Sequence, residues 1–286
     1  MHINSLELDR RISTLEEAYS NCDICPEKCH VDRNSDKLGT CGLGSEGRVY
    51  KEFLHFGEEP EISPTHAIYL AGCNFRCRYC SDLKEVTQPR KIPSTDELWL
   101  AKQIMTRTQQ GARSISFVGG SPDVQPLFVL RVLREANNKL PVVWNSNLWM
   151  APETLELLLG VVDIFIADLK YGPGKCDEKL SSAANTMLRI SDLMKTIVDS
   201  EARLIIRHLI LPGHLECCTI PVIEKSAELG PDVYLNLMTG YRPFHLRGRS
   251  DQLGNRLSRQ EAERAINLAQ KRFGSQINLR RDGQRL

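Results

Sequence analysis

The sequence predicts an α/β fold, a partial (β/α)6 barrel with a cysteine-rich N-terminal extension. Three observations predict it. From about residue 66 onward, short β-rich runs alternate with stretches of helical period, the pattern of a parallel sheet with helical crossovers. Six such strand and helix pairs follow one another, enough for a barrel open on one side if the crossovers are right-handed. The first 60 residues break this rhythm and concentrate cysteine and glycine. A doubly wound open sheet is the competing arrangement, and both place ligands at the C-terminal ends of the strands.

The expected strands are residues 66–71, 114–118, 142–145, 163–167, 203–211 and 233–238, and the expected helices 95–109, 124–138, 152–159, 183–199, 216–229 and 258–273. Ser94 with Glu97, and Ser258 with Glu261, have capping-box spacing ahead of apolar-periodic runs. A further helix is expected over residues 5–20, leading into a turn-rich stretch with Gly39, Gly42 and Gly44. That stretch is too polar to build its own core and reads as a small metal-stapled extension. The expected division is residues 1–60 for the extension and 61–286 for the barrel.

A chain of 286 residues with 41% hydrophobic content can bury a large core. Lys and Arg number 37 against 36 Asp and Glu, so no charge excess favours nucleic acid or an anionic membrane, and neither is expected as a partner. The opening residues 1–11 mix charge with isolated apolar positions, unlike a signal peptide, and no run approaches the ~20 apolar residues of a spanning helix. A cytoplasmic protein is expected, in which thiols stay reduced. Ten cysteines then call for a metal or catalytic explanation before a disulfide one.

Cys73, Cys77 and Cys80 follow the first expected strand directly, in Gly72-Cys73-Asn74-Phe75-Arg76-Cys77-Arg78-Tyr79-Cys80. A cubane [4Fe-4S] cluster normally takes four thiolates, so a three-thiolate loop leaves one iron open to a substrate or cofactor. Such an iron can chelate the amino and carboxylate groups of S-adenosylmethionine (SAM) and pass an electron to its sulfonium. The alternative is a zinc knuckle completed by His55 or His66, although zinc ligands usually come as short-spaced pairs. Upstream, Cys22, Cys25, Cys29 and Cys41 supply four thiolates, enough to close a second [4Fe-4S] cluster or a zinc site, with His30 able to replace one ligand. Cys176, Cys217 and Cys218 are scattered downstream and read as small packing residues, with the adjacent Cys217 and Cys218 alternatively thiols made reactive at the start of the helix after His214. Glu58 and Glu59 read as a solvated rim.

The C-x3-C-x2-C triplet, with the aromatic Tyr79 before its last cysteine, resembles the signature of the radical SAM superfamily. Gly119-Gly120-Ser121-Pro122 is similar to that family's GGEP segment, whose backbone groups hold the methionine amino group of SAM; Ser121 stands where Glu is usual. More closely, the chain resembles the glycyl-radical-enzyme activating enzymes of the pyruvate formate-lyase type and their cysteine-extended homologues. The likeness runs from about Cys22 to Pro243, through His55-Phe56-Gly57-Glu58-Glu59-Pro60, Asp168-Leu169-Lys170, Arg207-His208-Leu209-Ile210-Leu211-Pro212-Gly213, Asn236-Leu237-Met238 and Tyr241-Arg242-Pro243. It implies that Asp168, Lys170 and Arg207 lie beside SAM at strand ends. Asn145 aligns with an Asp that, in those enzymes, joins the counterpart of Asp168 in holding a monovalent cation. With one carboxylate lost the cation is favoured less, and Asp168 is expected to pair with Lys170 or with SAM.

The resemblance implies a radical SAM oxidoreductase that abstracts hydrogen from a protein or small-molecule substrate and draws electrons from an external donor such as flavodoxin or ferredoxin. Activation of a glycyl radical enzyme, radical modification of a metabolite or peptide, and non-catalytic iron-sulfur electron carriage are the three readings. A nucleoside pocket is needed by the first two alone.

Overall fold

A computed structural model of the chain describes residues 3–137, 139–274, 277–281 and 284–285. They form two compact units, one of Met1–Asn74 and Asp82–Phe165, the other of Phe75–Ser81 and Ile166–Leu286.

The first unit holds α1 (Ser5–Ser20), β1 (Val49–His55), β2 (Thr65–Leu70), α2 (Leu83–Thr87), α3 (Glu97–Gln109), β3 (Ser114–Gly119), α4 (Pro126–Ala136), β4 (Val142–Ser146) and α5 (Pro152–Leu158). Leu8, Ile12, Leu15 and Tyr19 make one buried stripe on α1, at helical spacing, and this face packs on α4. The Asn4 side chain caps α1 by accepting from Glu7 N at 2.9 Å. β2, β3 and β4 pair in parallel, with Thr65 opposite Ser114 and Ile115 opposite Val142. Their near-continuous burial is what a parallel sheet covered on both faces demands. β1 adds antiparallel to β2, with Phe53 opposite Ala67.

β5 (Ile164–Asp168) begins with the last residues of the first unit and ends in the second. The second unit continues with α6 (Cys176–Ser181), α7 (Thr186–Val198), β6 (Arg203–Leu209), a π-helical turn (Leu215–Thr219), α8 (Ile220–Ala227), β7 (Tyr234–Met238), α9 (Arg259–Phe273), β8 (Ile277–Arg281) and β9 (Gln284–Arg285). β6, β7 and β8 pair in parallel, and β9 turns back antiparallel on β8.

All six expected strands are present, as β2 to β7, each followed in the chain by at least one helix. This is the α/β class and the partial (β/α)6 arrangement. The strand set is not closed: among the described residues β1 pairs with β2 alone and β9 with β8 alone. Three strands were not expected. β1 carries Lys51 and Glu52 and is half exposed, so it lacks the apolar run that betrays an inner strand; Glu52 is held by Arg107 at 2.7 Å and His66 at 2.8 Å. β8 and β9 contain Asn278, Arg280, Arg281, Gln284 and Arg285 and read as polar sequence.

Three local expectations are corrected. Ser94 does not cap α3; Asp96 does, accepting from Trp99 N at 2.7 Å, and the helix starts two residues later than expected. The helix expected from residue 216 opens instead as the π-helical turn and becomes α-helical at Ile220. Glu59 is buried rather than on a solvated rim. The Ser258 and Glu261 capping box forms as expected, and the expected end of α4 at Asn138 lies outside the described residues.

His208, fully buried on β6, ties three elements of the second unit together. Its Nδ1 donates to the carbonyl of Leu169, just beyond β5, at 2.7 Å, and its Nε2 accepts from the Thr219 hydroxyl at 2.9 Å. Burial lowers its pKa from 6.5 to about 4. The unfolded chain therefore binds a proton that the folded chain refuses, and stability is lost as pH falls from about 6.5 toward 4. The cost is on the order of 3 kcal/mol for this group. In urea titrations at pH 7 and pH 4.5, wild type is expected to lose more stability than His208→Gln; equal losses would remove His208 as the cause.

Candidate active site

The ends of β2 and β3 meet through main chain. Gly120 N donates to Leu70 O at 2.7 Å and Ser121 N to Gly72 O at 3.0 Å. A Cβ on Gly119 would lie 2.6 Å from Leu70 N, and one on Gly120 only 2.0 Å from Gly72 O. Gly119 also has a φ of +109°, open to glycine. The pair is therefore a close approach of two backbones beside the start of the cysteine loop, rather than an ordinary tight turn. Gly72 is pressed from another side, since its own Cβ would meet Cys41 O at 3.0 Å and the Leu43 side chain at 2.7 Å.

Ser121 and Pro122 lead into Asp123, a buried carboxylate that sequence reasoning missed. It accepts from Trp144 Nε1 at 2.8 Å and Trp149 N at 2.9 Å, joining the segment after β3 to the end of β4. Burial raises its pKa against these hydrogen bonds. Asn145 is buried at the end of β4. Two residues on, Asn147 directs its side-chain N–H toward Cys73 Sγ at 3.5 Å. An N–H donor on a ligand sulfur draws charge from it and raises the potential of an attached cluster.

In the second unit the rest of the loop is gripped by α6. Arg76 N donates to Ser181 O and Arg78 N to Leu180 O, each at 2.8 Å. The Ser181 hydroxyl donates to Cys77 Sγ at 2.9 Å. Behind it Tyr171 bonds to Ser181, and Tyr79 to Tyr171 at 2.8 Å. Burial holds both phenols well above their ordinary pKa, so each keeps its proton and can donate toward the thiol. The resulting chain, Tyr79 to Tyr171 to Ser181 to Cys77, delivers a polarised O–H to the Cys77 sulfur. Cys80 N is bonded to Cys77 O at 3.1 Å, which folds the C-x2-C step as a tight turn.

Asp168 pairs with Lys170 at 2.7 Å at the end of β5. Arg207 on β6 accepts through its carbonyl from Leu169 N at 3.0 Å, which sets it beside that strand end. Tyr79, Asp168, Lys170 and Arg207 belong to one unit, and Gly119, Gly120, Ser121, Pro122 and Asn145 to the other.

The four upstream cysteines lie within the first unit, with Cys22, Cys25 and Cys41 buried and Cys29 partly exposed. The Cβ position of Gly39 is 3.2 Å from Cys29 Sγ and 3.7 Å from Cys41 Sγ, so glycine leaves these sulfurs room to face one another. Arg33, buried on the Tyr19 ring, reaches Cys22 Sγ at 4.0 Å and donates to Gly44 O and Val124 O at 2.6 and 2.9 Å. A fixed cation beside a thiolate offsets the charge that a metal site gathers. The stretch is anchored through Ile24 O, which accepts from Ala151 N and Thr154 Oγ1, both at 2.9 Å.

Asp123, Asn147, Tyr171 and Ser181 escaped the sequence reading because polar residues acquire meaning only from what the fold sets beside them. Asn147 and Tyr171 do sit within three residues of strand ends, the one signal that was available. Of the downstream cysteines, Cys218 is buried in an apolar cluster with Tyr171, Leu211 and Tyr241, while Cys217 is exposed.

The radical SAM superfamily model matches residues 68–223. An uncharacterized protein of Methanocaldococcus jannaschii is 34% identical over 269 residues, spanning 92% of this chain and 78% of its own length. A second protein of that organism, provisionally named a glycyl-radical enzyme activating enzyme, is 29% identical over 137 residues, 45% of this chain and 55% of its own. A radical SAM methyltransferase from Sphaerobacter thermophilus shares the fold at a TM-score of 0.55 and 12% identity, over 98% of this chain and 94% of that one.

Gly120→Ala is expected to cost about 1–3 kcal/mol of stability and to lower iron retention by displacing Gly72 beside Cys73. Gly174→Ala, whose Cβ would meet nothing within 4 Å, is the control. Equal urea midpoints and iron contents in the two variants would contradict the close-approach assignment.

Proposed function

The chain belongs to the radical SAM superfamily, and from that premise we propose that it is an oxidoreductase that removes a hydrogen atom from its substrate, in the manner of glycyl-radical-enzyme activating enzymes. The observation carrying this reading is the cysteine loop with hydrogen-bond donors aimed at its sulfurs, from Asn147 to Cys73 and from Ser181 to Cys77. The donor set suits a [4Fe-4S] cluster with one iron lacking a protein ligand. When bound, the cluster and SAM supply reductive cleavage of SAM to a 5'-deoxyadenosyl radical.

In this proposal Cys73, Cys77 and Cys80 hold the cluster. Gly119, Gly120, Ser121 and Pro122 take the methionine end of SAM through their main chain, and Tyr79, Asn145, Asp168, Lys170 and Arg207 bind the rest of it. The Gly120 and Ser121 amides are already engaged, so any contact to the SAM amino group falls to main-chain carbonyls, which are the acceptors an ammonium needs. Asp168 is neutralised by Lys170, which removes the uncompensated charge that a monovalent cation would require.

The substrate is a glycyl radical enzyme or a small molecule, and the reductant a flavodoxin or ferredoxin of the cytoplasm. No helix among the described residues is long and apolar enough to cross a membrane. Residues 1–60 are the metal-binding extension and 61–286 the catalytic barrel. In this reading Cys22, Cys25, Cys29 and Cys41 hold an auxiliary [4Fe-4S] cluster, with zinc as the alternative; the buried Arg33 beside Cys22 offsets the charge that four thiolates bring to either.

Anaerobically reconstituted protein, reduced with dithionite and given SAM, is expected to form 5'-deoxyadenosine, and Cys77→Ala to form none. A full, reducible cluster that fails to bind SAM would overturn the enzyme reading in favour of an electron carrier. Replacing Cys25 and Cys29 by Ala is expected to remove about four iron per chain. Unchanged iron would exclude the auxiliary cluster.

A further inference from the structure

Within the second unit, Cys176, His214, Cys217 and Cys218 turn one ligand atom each toward a common point, with all four atoms within 4.8 Å of one another. Cys176 opens α6, His214 closes the loop after β6, and Cys217 and Cys218 lie on the π-helical turn. Sequence spacing hides the group, because 41 residues separate Cys176 from Cys217.

The separations identify what would fit. Cys176 Sγ lies 3.6 Å from Cys217 Sγ and 3.6 Å from His214 Nδ1. Cys217 Sγ lies 3.4 Å from His214 Nδ1 and 3.7 Å from Cys218 Sγ. Around a tetrahedral zinc, with Zn–S about 2.3 Å and Zn–N about 2.0–2.1 Å, neighbouring sulfurs fall about 3.8 Å apart, and sulfur and nitrogen about 3.6 Å apart. Four edges of the tetrahedron are thus within a few tenths of an ångström of those a Cys3His site requires. A cubane cluster would need the thiolates farther apart, since each binds a different iron.

The surroundings are built to hold this geometry. Gly172, in the loop between β5 and α6, touches the carbonyl of Cys217 so closely that a Cβ would sit 2.2 Å from the oxygen. An α-helical turn spaces successive side chains by about 100°, which parts neighbouring thiols; the wider π-helical turn brings Cys217 and Cys218 toward the same side. Glu261, the capping-box carboxylate of α9, accepts from Gly213 N at 2.7 Å and so fixes the loop carrying His214.

We propose that Cys176, His214, Cys217 and Cys218 form a structural zinc site that staples the start of α6 to the turn after β6. Binding forms three Zn–S bonds and one Zn–N bond and releases the thiol protons to solvent, with no change of oxidation state. The staple positions the cluster loop from a distance. It clamps α6, whose Leu180 and Ser181 carbonyls take the Arg78 and Arg76 amides and whose Ser181 hydroxyl reaches Cys77. The site is separate from the four upstream cysteines and does not depend on what those bind.

Full-length, reduced, anaerobic protein loaded with zinc alone and then desalted is the test, read by metal analysis rather than by turnover. One zinc per chain is expected to disappear in Cys176→Ser and in His214→Ala, and to persist in Cys25→Ala. Cobalt in place of zinc is expected to give the visible absorption of a tetrahedral thiolate site, lost in the same two variants. Wild-type protein, which needs no mutation to fold, supplies an independent readout. Alkylation of the exposed Cys217 by iodoacetamide, followed by peptide mass spectrometry, is expected to slow at least tenfold with zinc and to recover with EDTA. Zinc content equal in wild type and both variants, or a Cys217 alkylation rate that zinc leaves unchanged, would overturn the site.

Discussion

The contact on which the site depends most is one between two stretches of backbone. Gly119 and Gly120 let the end of β3 lie against Leu70 and Gly72, with no side chain between them. The two hydrogen bonds made there are each worth only about 1 kcal/mol net, yet they decide where the cysteine loop leaves the sheet. Any Cβ at Gly120 would fall 2.0 Å from the Gly72 oxygen, far inside van der Waals contact distance. The constraint is steric and allows little adjustment, because both partners are main chain anchored in parallel strands.

In each of the two units, polar groups are arranged to serve sulfur. Asn147 and Ser181 reach Cys73 and Cys77 from different elements, and each depends on a buried support of its own. Asp123 fixes the β4 end that leads to Asn147, and Tyr171 backs Ser181. Buried networks of this kind are costly unless every member is satisfied, which is why the tyrosines and the aspartate sit where they do. His208 belongs to the same economy: kept neutral by burial, it bonds the β5 end and the π-helical turn at once.

The cysteine-rich stretch shares this logic. Its Cys41 carbonyl and Leu43 side chain press on Gly72, and Arg33 brings a guanidinium into the buried group beside Cys22. A stretch that packs against the start of the Cys73 loop can set that loop's position as well as its own fold. The proposed zinc staple would act alike on α6, from a separate set of thiols.

Periodicity was enough to determine the class of the fold, its six inner strands and the helix over residues 5–20, because burial on both faces writes near-continuous apolar runs; the family was legible through the resemblance of the Cys73, Cys77 and Cys80 segment to a known signature, because those residues are local in the chain. The edge strand β1 was illegible because a half-exposed strand tolerates lysine and glutamate. Nor did the sequence show that Glu58 and Glu59 turn inward, Glu59 buried and Glu58 held by His55 at 3.0 Å, since adjacent carboxylates ordinarily read as a solvated rim. Only the tertiary structure set Asp123 beneath Trp144, aimed Asn147 and Ser181 at sulfurs, and gathered Cys176, His214, Cys217 and Cys218. Those groupings join residues far apart in the chain through side chains that any polar loop could carry, and their chemistry comes from the few ångströms that folding puts between them.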